Sequence, residues 1–150
     1  MPGRTVGSVI LVGTLAVAAV SISAAVSGSA QDKPAASSPS GWQLPPDAAA
    51  TRNPLTVDDA VLATGKAVFK DKCQKCHGPA GLGDGPDADP DAQEDMDLTN
   101  PKRASRNSDG VVFYKVANGR RKPKMPAFKE ELTPEQIWSV VAYAQTLRKP

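Results

Sequence analysis

Cys73, Gln74, Lys75, Cys76 and His77 set two thiols three positions apart, with an imidazole directly after the second. They are the only cysteines and the only histidine in the 150-residue chain. Thiols at this spacing can each add to a vinyl group on one edge of a porphyrin, and the histidine that follows lies beneath the ring with a nitrogen for the iron. The C-x-x-C-H motif therefore points to one covalently attached haem c with its iron, carried by Cys73 and Cys76, with His77 as an axial ligand. Other uses of these residues fit less well. A structural zinc site wants four thiolate or imidazole ligands, and the chain offers three such side chains in all. A thioredoxin-like pair needs a βαβ setting, and no strand-like alternation flanks this one. A structural disulfide leaves His77 without a role.

The elements that must position this motif occupy only part of the chain. Val6 to Val26 is a nearly uncharged run behind Arg4, which reads as an export signal or a membrane anchor within residues 1–30. Small residues at Ser23 to Ala25 and Gly28 to Ala30 offer cleavage sites. The run is also long enough to span a bilayer, though Gly7, Gly13, Ser21 and Ser23 dilute its hydrophobicity and tilt the reading toward cleavage. No cysteine precedes residue 73, so a lipoprotein anchor is excluded. Either outcome exports the rest of the chain, and a periplasmic location is expected, where haem is attached to such motifs in bacteria. Residues 31–56 are rich in Pro, Ala and Ser without a buried periodicity and read as a linker. Trp42 within it is either a lone anchor or, as is usual for an isolated aromatic in such a segment, partly exposed.

Residues 57–150 carry the helical signals of one small domain. Asp58 to Cys73 reads as a first helix, with Val57, Val61, Leu62, Val68 and Phe69 on its apolar side and Gly65 as a flat spot for a partner. Ser108 and Asp109 cap a second, which carries Val111, Val112, Tyr114, Lys115 and Val116 and stops at Asn118-Gly119. Thr133, Pro134 and Gln136 spell an N-cap, a first-turn proline and a capping box. The helix they open repeats Ile137, Val140, Val141, Ala144 and Leu147 at helical spacing, with Trp138 and Tyr143 beside them. Between His77 and Pro101 the chain is Gly-, Pro- and Asp-rich and reads as an irregular loop covering one side of the porphyrin. Its aspartates do not match the spacing of a twelve-residue calcium loop.

The stretches CQKCHGPAGLGDGP, DLTNP, FYKVANG, KMPAF and WSVVAYAQTL resemble the successive motifs of class I (mitochondrial-type) bacterial c-type cytochromes. The resemblance covers roughly residues 58 to 148 and implies an all-α fold of about three to five helices wrapped around one haem. It implies further that Met125, in KMPAF, is the second axial ligand; Met96 is the rival, and an iron without a thioether is the remaining alternative. It also implies that the carbonyl of Pro86 accepts the His77 ring N–H, that Phe113 and Phe128 line the pocket, and that Tyr143 packs against Gly65 and Phe69. An iron held by histidine and thioether is saturated, which suits electron transfer rather than oxygen or peroxide chemistry.

Charge is unevenly divided. Residues 31–100 hold 6 Lys or Arg and 12 Asp or Glu, net −6, whereas residues 101–150 hold 11 and 4, net +7. Arg120, Arg121, Lys122 and Lys124 lie just before Met125, where they either steer an acidic redox partner or simply form a solvated turn. The chain is expected to be an electron carrier between a respiratory donor and an acceptor oxidoreductase, not an enzyme. The alternatives are an electron-transfer subunit of a dehydrogenase or reductase complex, or an open-site haem protein. Redox proteins are the expected partners, with a membrane tether possible through residues 6–26. Nucleic acid is not expected, given the compartment and the low aromatic content.

Overall fold

The structure, a computed structural model, describes Gly7 and residues 41–149. The run from Val6 to Val26, apart from Gly7, and the first ten residues of the expected linker lie outside them. The regular elements of the described residues are helices, and the extended pairings between them include isolated bridges between Leu82 and Asp97 and between Arg120 and Met125.

Helix α1, Asp59–Val68, starts where Asp58 accepts the Val61 N–H at 2.8 Å. Val57, expected on its apolar side, precedes the helix and is 52% exposed. A π-helical turn over Phe69–Cys73 follows, closed by Gln74 N–H donating back to the Phe69 carbonyl, and leads into the single turn α2, Gln74–His77. Gly78 stops it at φ 74°, a left-handed conformation that costs glycine nothing. The thiol motif is thus carried on the continuation of α1.

Two more single turns, α3 (Gln93–Met96) and α4 (Pro101–Ala104), are followed by α5, Asp109–Asn118, and α6, Pro134–Thr146. The stretch between His77 and Pro101 is therefore not wholly irregular, since α3 forms inside it. Helix α6 begins with both halves of the expected capping box: Gln136 N–H donates to Thr133 Oγ1 at 3.3 Å, and Thr133 N–H to Gln136 Oε1 at 2.9 Å. Ser108 stands before α5 but makes no side-chain cap; its hydroxyl donates to the Ala49 carbonyl instead.

The core forms where α1 and α5 pack on α6, around Phe69, Val116, Ile137, Trp138, Val140 and Val141. The α1–α6 approach depends on Gly65. A Cβ there would lie 2.0 Å from the Ser139 carbonyl oxygen and 2.9 Å from Tyr143 Cβ. Phe69 and Tyr143 meet one turn further on, ring centroids 5.4 Å apart and tilted by 57°, as expected for this pair. On the α5 side Phe113 stacks on Trp138 at 4.2 Å.

Residues 41–56, expected to be the end of a linker, lie against this unit. Asn53 donates to the Trp138 carbonyl at 3.1 Å, and Gly110 N–H donates to the Thr51 carbonyl at 3.2 Å. Among the described residues, no helix is long and apolar enough to cross a membrane.

Replacing Gly65 with Ala forces α1 away from the α6 backbone, because the obstacle is a carbonyl and not a flexible side chain. We expect a loss of about 3 kcal/mol, measured as a fall in denaturation midpoint at unchanged m-value.

Candidate functional site: a haem pocket

The helical unit surrounds a cavity of about 1200 Å³, its open mouth included, lined by Cys73, Cys76 and His77. Its lining, mostly apolar with a few polar groups and with both thiols and the imidazole on the wall, is what suits it to a porphyrin. Phe69, Leu98, Val112, Val116, Phe128 and Val140 supply apolar walls, and both Met96 and Met125 reach the cavity. The sequence motif and the expected thioether loop are thus brought to one space.

The states of the three motif side chains suit the group. Burial pushes the Cys73 thiol up to about 12, and burial also raises Cys76. Both therefore stay protonated at neutral pH, as thiols that add across a vinyl group must supply both sulfur and hydrogen. Burial lowers the His77 pKa, with its hydrogen bond to Met96 opposing, so the imidazole is neutral. Its Nδ1 lies 2.7 Å from the Met96 carbonyl oxygen. A carbonyl can only accept, so Nδ1 carries the hydrogen and Nε2 keeps its lone pair for a metal.

That hydrogen bond corrects the expectation for Pro86. Pro86 is exposed, and the chain returns to the imidazole only ten residues later. Gly83 N–H donates to the His77 carbonyl and Leu98 N–H to the Gly81 carbonyl, so 81–83 fasten 96–98, which line the cavity, to the end of α2. Residues 84–95 make an excursion between them. Gly85 and Asp87 pack on the outside of α2, with Asp87 N–H donating to the Lys75 carbonyl at 2.8 Å.

Phe113 is the second correction. It does not line the cavity, since Val112, Lys115 and Val116 hold that face of α5 and the neighbouring position points at Trp138. Phe128 does line it, with 6% exposure.

Arg120 is the third. Its side chain is only 10% exposed and pairs with Asp95 at 3.1 Å, while Nε donates to the Pro123 carbonyl at 3.0 Å. Arg121, Lys122 and Lys124 are exposed, and Lys124 also borders the cavity mouth. The four basic positions around Pro123 therefore divide into one that holds the pocket wall and three that face water.

Several lining residues escaped the sequence reading: Trp42, Arg103, Lys115 and Arg148. Trp42 is buried to 6% exposure, not partly exposed. A tryptophan amid prolines was the one signal available for it, whereas nothing in the local pattern marks Lys115 as half-buried.

Asp95 receives Arg103 as well as Arg120. Burial alone raises its pKa, but the hydrogen bonds and charges of the two guanidiniums outweigh that and hold the carboxyl below its usual range. A lowered carboxylate pKa stabilises the fold above the unfolded-state value, and this stabilisation is lost as pH falls through the folded one. Asp95→Asn should therefore cost about 1–2 kcal/mol near neutrality and leave a shallower acid limb in a stability–pH profile.

Comparison with known proteins points to one family. A family model described as cytochrome c matches residues 62–148. Cytochrome c6 of Parathermosynechococcus lividus is 36% identical over 84 residues, which cover 56% of this chain and 87% of that protein. Among solved structures, a chain of the reducing HAO-like protein complex Kustc0457/Kustc0458 of Kuenenia stuttgartiensis has a TM-score of 0.54 at 30% identity, over 64% of this chain and 47% of that one. The KustC0563 c-type cytochrome is 27% identical with a TM-score of 0.45, over 57% and 98% of the two chains. The chain belongs to the cytochrome c family, the all-α electron carriers that hold haem c covalently.

Proposed function

We propose that this protein is an exported monohaem electron carrier in which Cys73 and Cys76 attach the haem and His77 and Met125 bind its iron. The iron, alternating between ferrous and ferric states, supplies the redox chemistry. The chain attaches, orients and shields it. The observation that carries this reading is the presence of His77, with Nε2 available, and Met125 on the walls of one largely apolar cavity. Met96 reaches the same cavity, but its carbonyl is committed to Nδ1 of His77, which keeps this residue beside the imidazole. Held by both His77 and Met125, a bound haem would have no open site for oxygen or peroxide, and the proposed role is electron transfer without turnover of a substrate.

An exported, periplasmic location is supported by the Val6 to Val26 run and by the compartment in which such motifs receive haem. The same run would tether the domain if it is not cleaved. Donor and acceptor are redox proteins, and an acidic one is favoured by the exposed Arg121, Lys122 and Lys124 beside the cavity mouth. A second reading, an electron-transfer subunit of a larger complex, is supported by the likeness to a chain of the reducing HAO-like complex. Co-purification with a large subunit separates it from the free carrier.

The oxidised protein should show the weak near-infrared band of sulfur-to-iron ligation, lost in Met125→Ala and kept in Met96→Leu. A high-spin wild-type spectrum with ready carbon monoxide binding would instead mean an open iron. Changing Arg121, Lys122 and Lys124 together to Ser should slow association with an acidic partner about tenfold at low ionic strength and flatten its salt dependence. An unchanged salt dependence with every candidate partner would remove the docking role.

A further inference from the structure

Lys115 carries an ammonium into the cavity wall, and its direct polar partners among the described residues are uncharged. Nζ donates to Asn107 Oδ1 at 2.5 Å and lies 5.2 Å from the centroid of the Trp42 ring. No carboxylate among the described residues forms an ion pair with it. The charged groups around it are Arg103 and Arg106, on and just beyond α4, Arg120 from the turn after α5, and Asp95 on α3, of which only Asp95 favours its charge. Burial, with the three guanidiniums, pushes Lys115 down to about 8. A half-buried ammonium without an ion-pair partner has lost hydration that an anion arriving from outside the chain would offset.

The aromatic face over Lys115 comes from outside the region that matches the cytochrome c family, which starts at residue 62. Trp42 also stacks under the Arg120 guanidinium, 4.9 Å from the ring centroid. Residues 41–56 are fastened by Asn53 to the Trp138 carbonyl and by Ser108 to the Ala49 carbonyl. They lie so close to α5 that a Cβ on Gly110 would fall 2.3 Å from the Ala48 carbonyl oxygen.

We propose that residues 41–56 are a strap that completes the pocket, and that Trp42 holds Lys115 as the seat for a carboxylate of the haem. This rests on the haem reading above. Haem c brings two carboxylates, and the cavity that holds Cys73, Cys76 and His77 also presents this ammonium. A cation fixed against the ring's carboxylates favours the reduced iron by partly cancelling negative charge beside it, and the strap keeps water from screening that effect. Lys115 and Trp42 are therefore positioning residues that set the potential.

The test is the midpoint potential of the matured protein, together with the resonance Raman band of propionate bending, in wild type, Lys115→Met, Lys115→Arg, Trp42→Phe and Trp42→Ala. Lys115→Met should lower the potential and shift the bending band, and Lys115→Arg should keep the potential near that of wild type. Trp42→Ala should lower it, with Trp42→Phe close to wild type. If Lys115→Met matures poorly, Lys115→Gln replaces it for the same comparison. A potential and a bending band unchanged in the neutral Lys115 variant, or unchanged potential in Trp42→Ala, would overturn the proposal. The near-infrared sulfur band reports ligation by Met125 separately, so the seat can fail while the ligation stands, and the reverse.

Discussion

The nearness of α1 to α6 at Gly65 is the constraint on which the pocket depends. The thiol motif takes its direction from α1: α2 is one turn long, contains no buried residue, and continues α1 through the π turn, while Gly83, Asp87 and Met96 hold it by hydrogen bonds from the other side. Helix α1 in turn is held by the absence of a side chain at one position, which lets it reach the Ser139 backbone. The same approach brings Phe69 onto Tyr143 and turns Phe69 toward the cavity, so one close contact supports both the core and the pocket wall. Dense packing of this kind leaves little freedom for the motif to drift.

How much of this was legible in the sequence depended on whether the signal was local. The capping box at Thr133 and the apolar repeat of α6 are short-range patterns, and they read correctly. So did Gly65 with Phe69 and Tyr143. Pro86, implied by the resemblance, misled because likeness of motif does not say where a glycine-rich loop turns back, and the returning backbone at Met96 carries no residue-specific mark. Phe113 misled because one step along α5 rotates a side chain by about 100°. Trp42 and Lys115 were missed or underrated for a related reason. Their burial is created by a segment folding back on the domain, and that is a tertiary event with no periodic trace.

The basic half of the chain serves two purposes that composition alone merges. Arg103, Lys115 and Arg120 border the cavity and act at short range, where little water intervenes. Arg121 and Lys122 are exposed, where salt screens them and where they affect encounters more than stability. Adjacent residues of like charge thus belong to different physics, divided at the bridge that closes Arg120 onto Met125.

The excursion from Asp84 to Asp95 has a consequence of another kind. Gly83 holds the His77 backbone carbonyl and Met96 its imidazole, and most residues between are exposed. Closing a longer loop costs only a logarithmic increment in entropy. The chain therefore contains, at the exposed Asp89 to Asp91, a stretch whose length is nearly independent of the imidazole it flanks, a place where a peptide tag can be grafted without altering the histidine's tautomer.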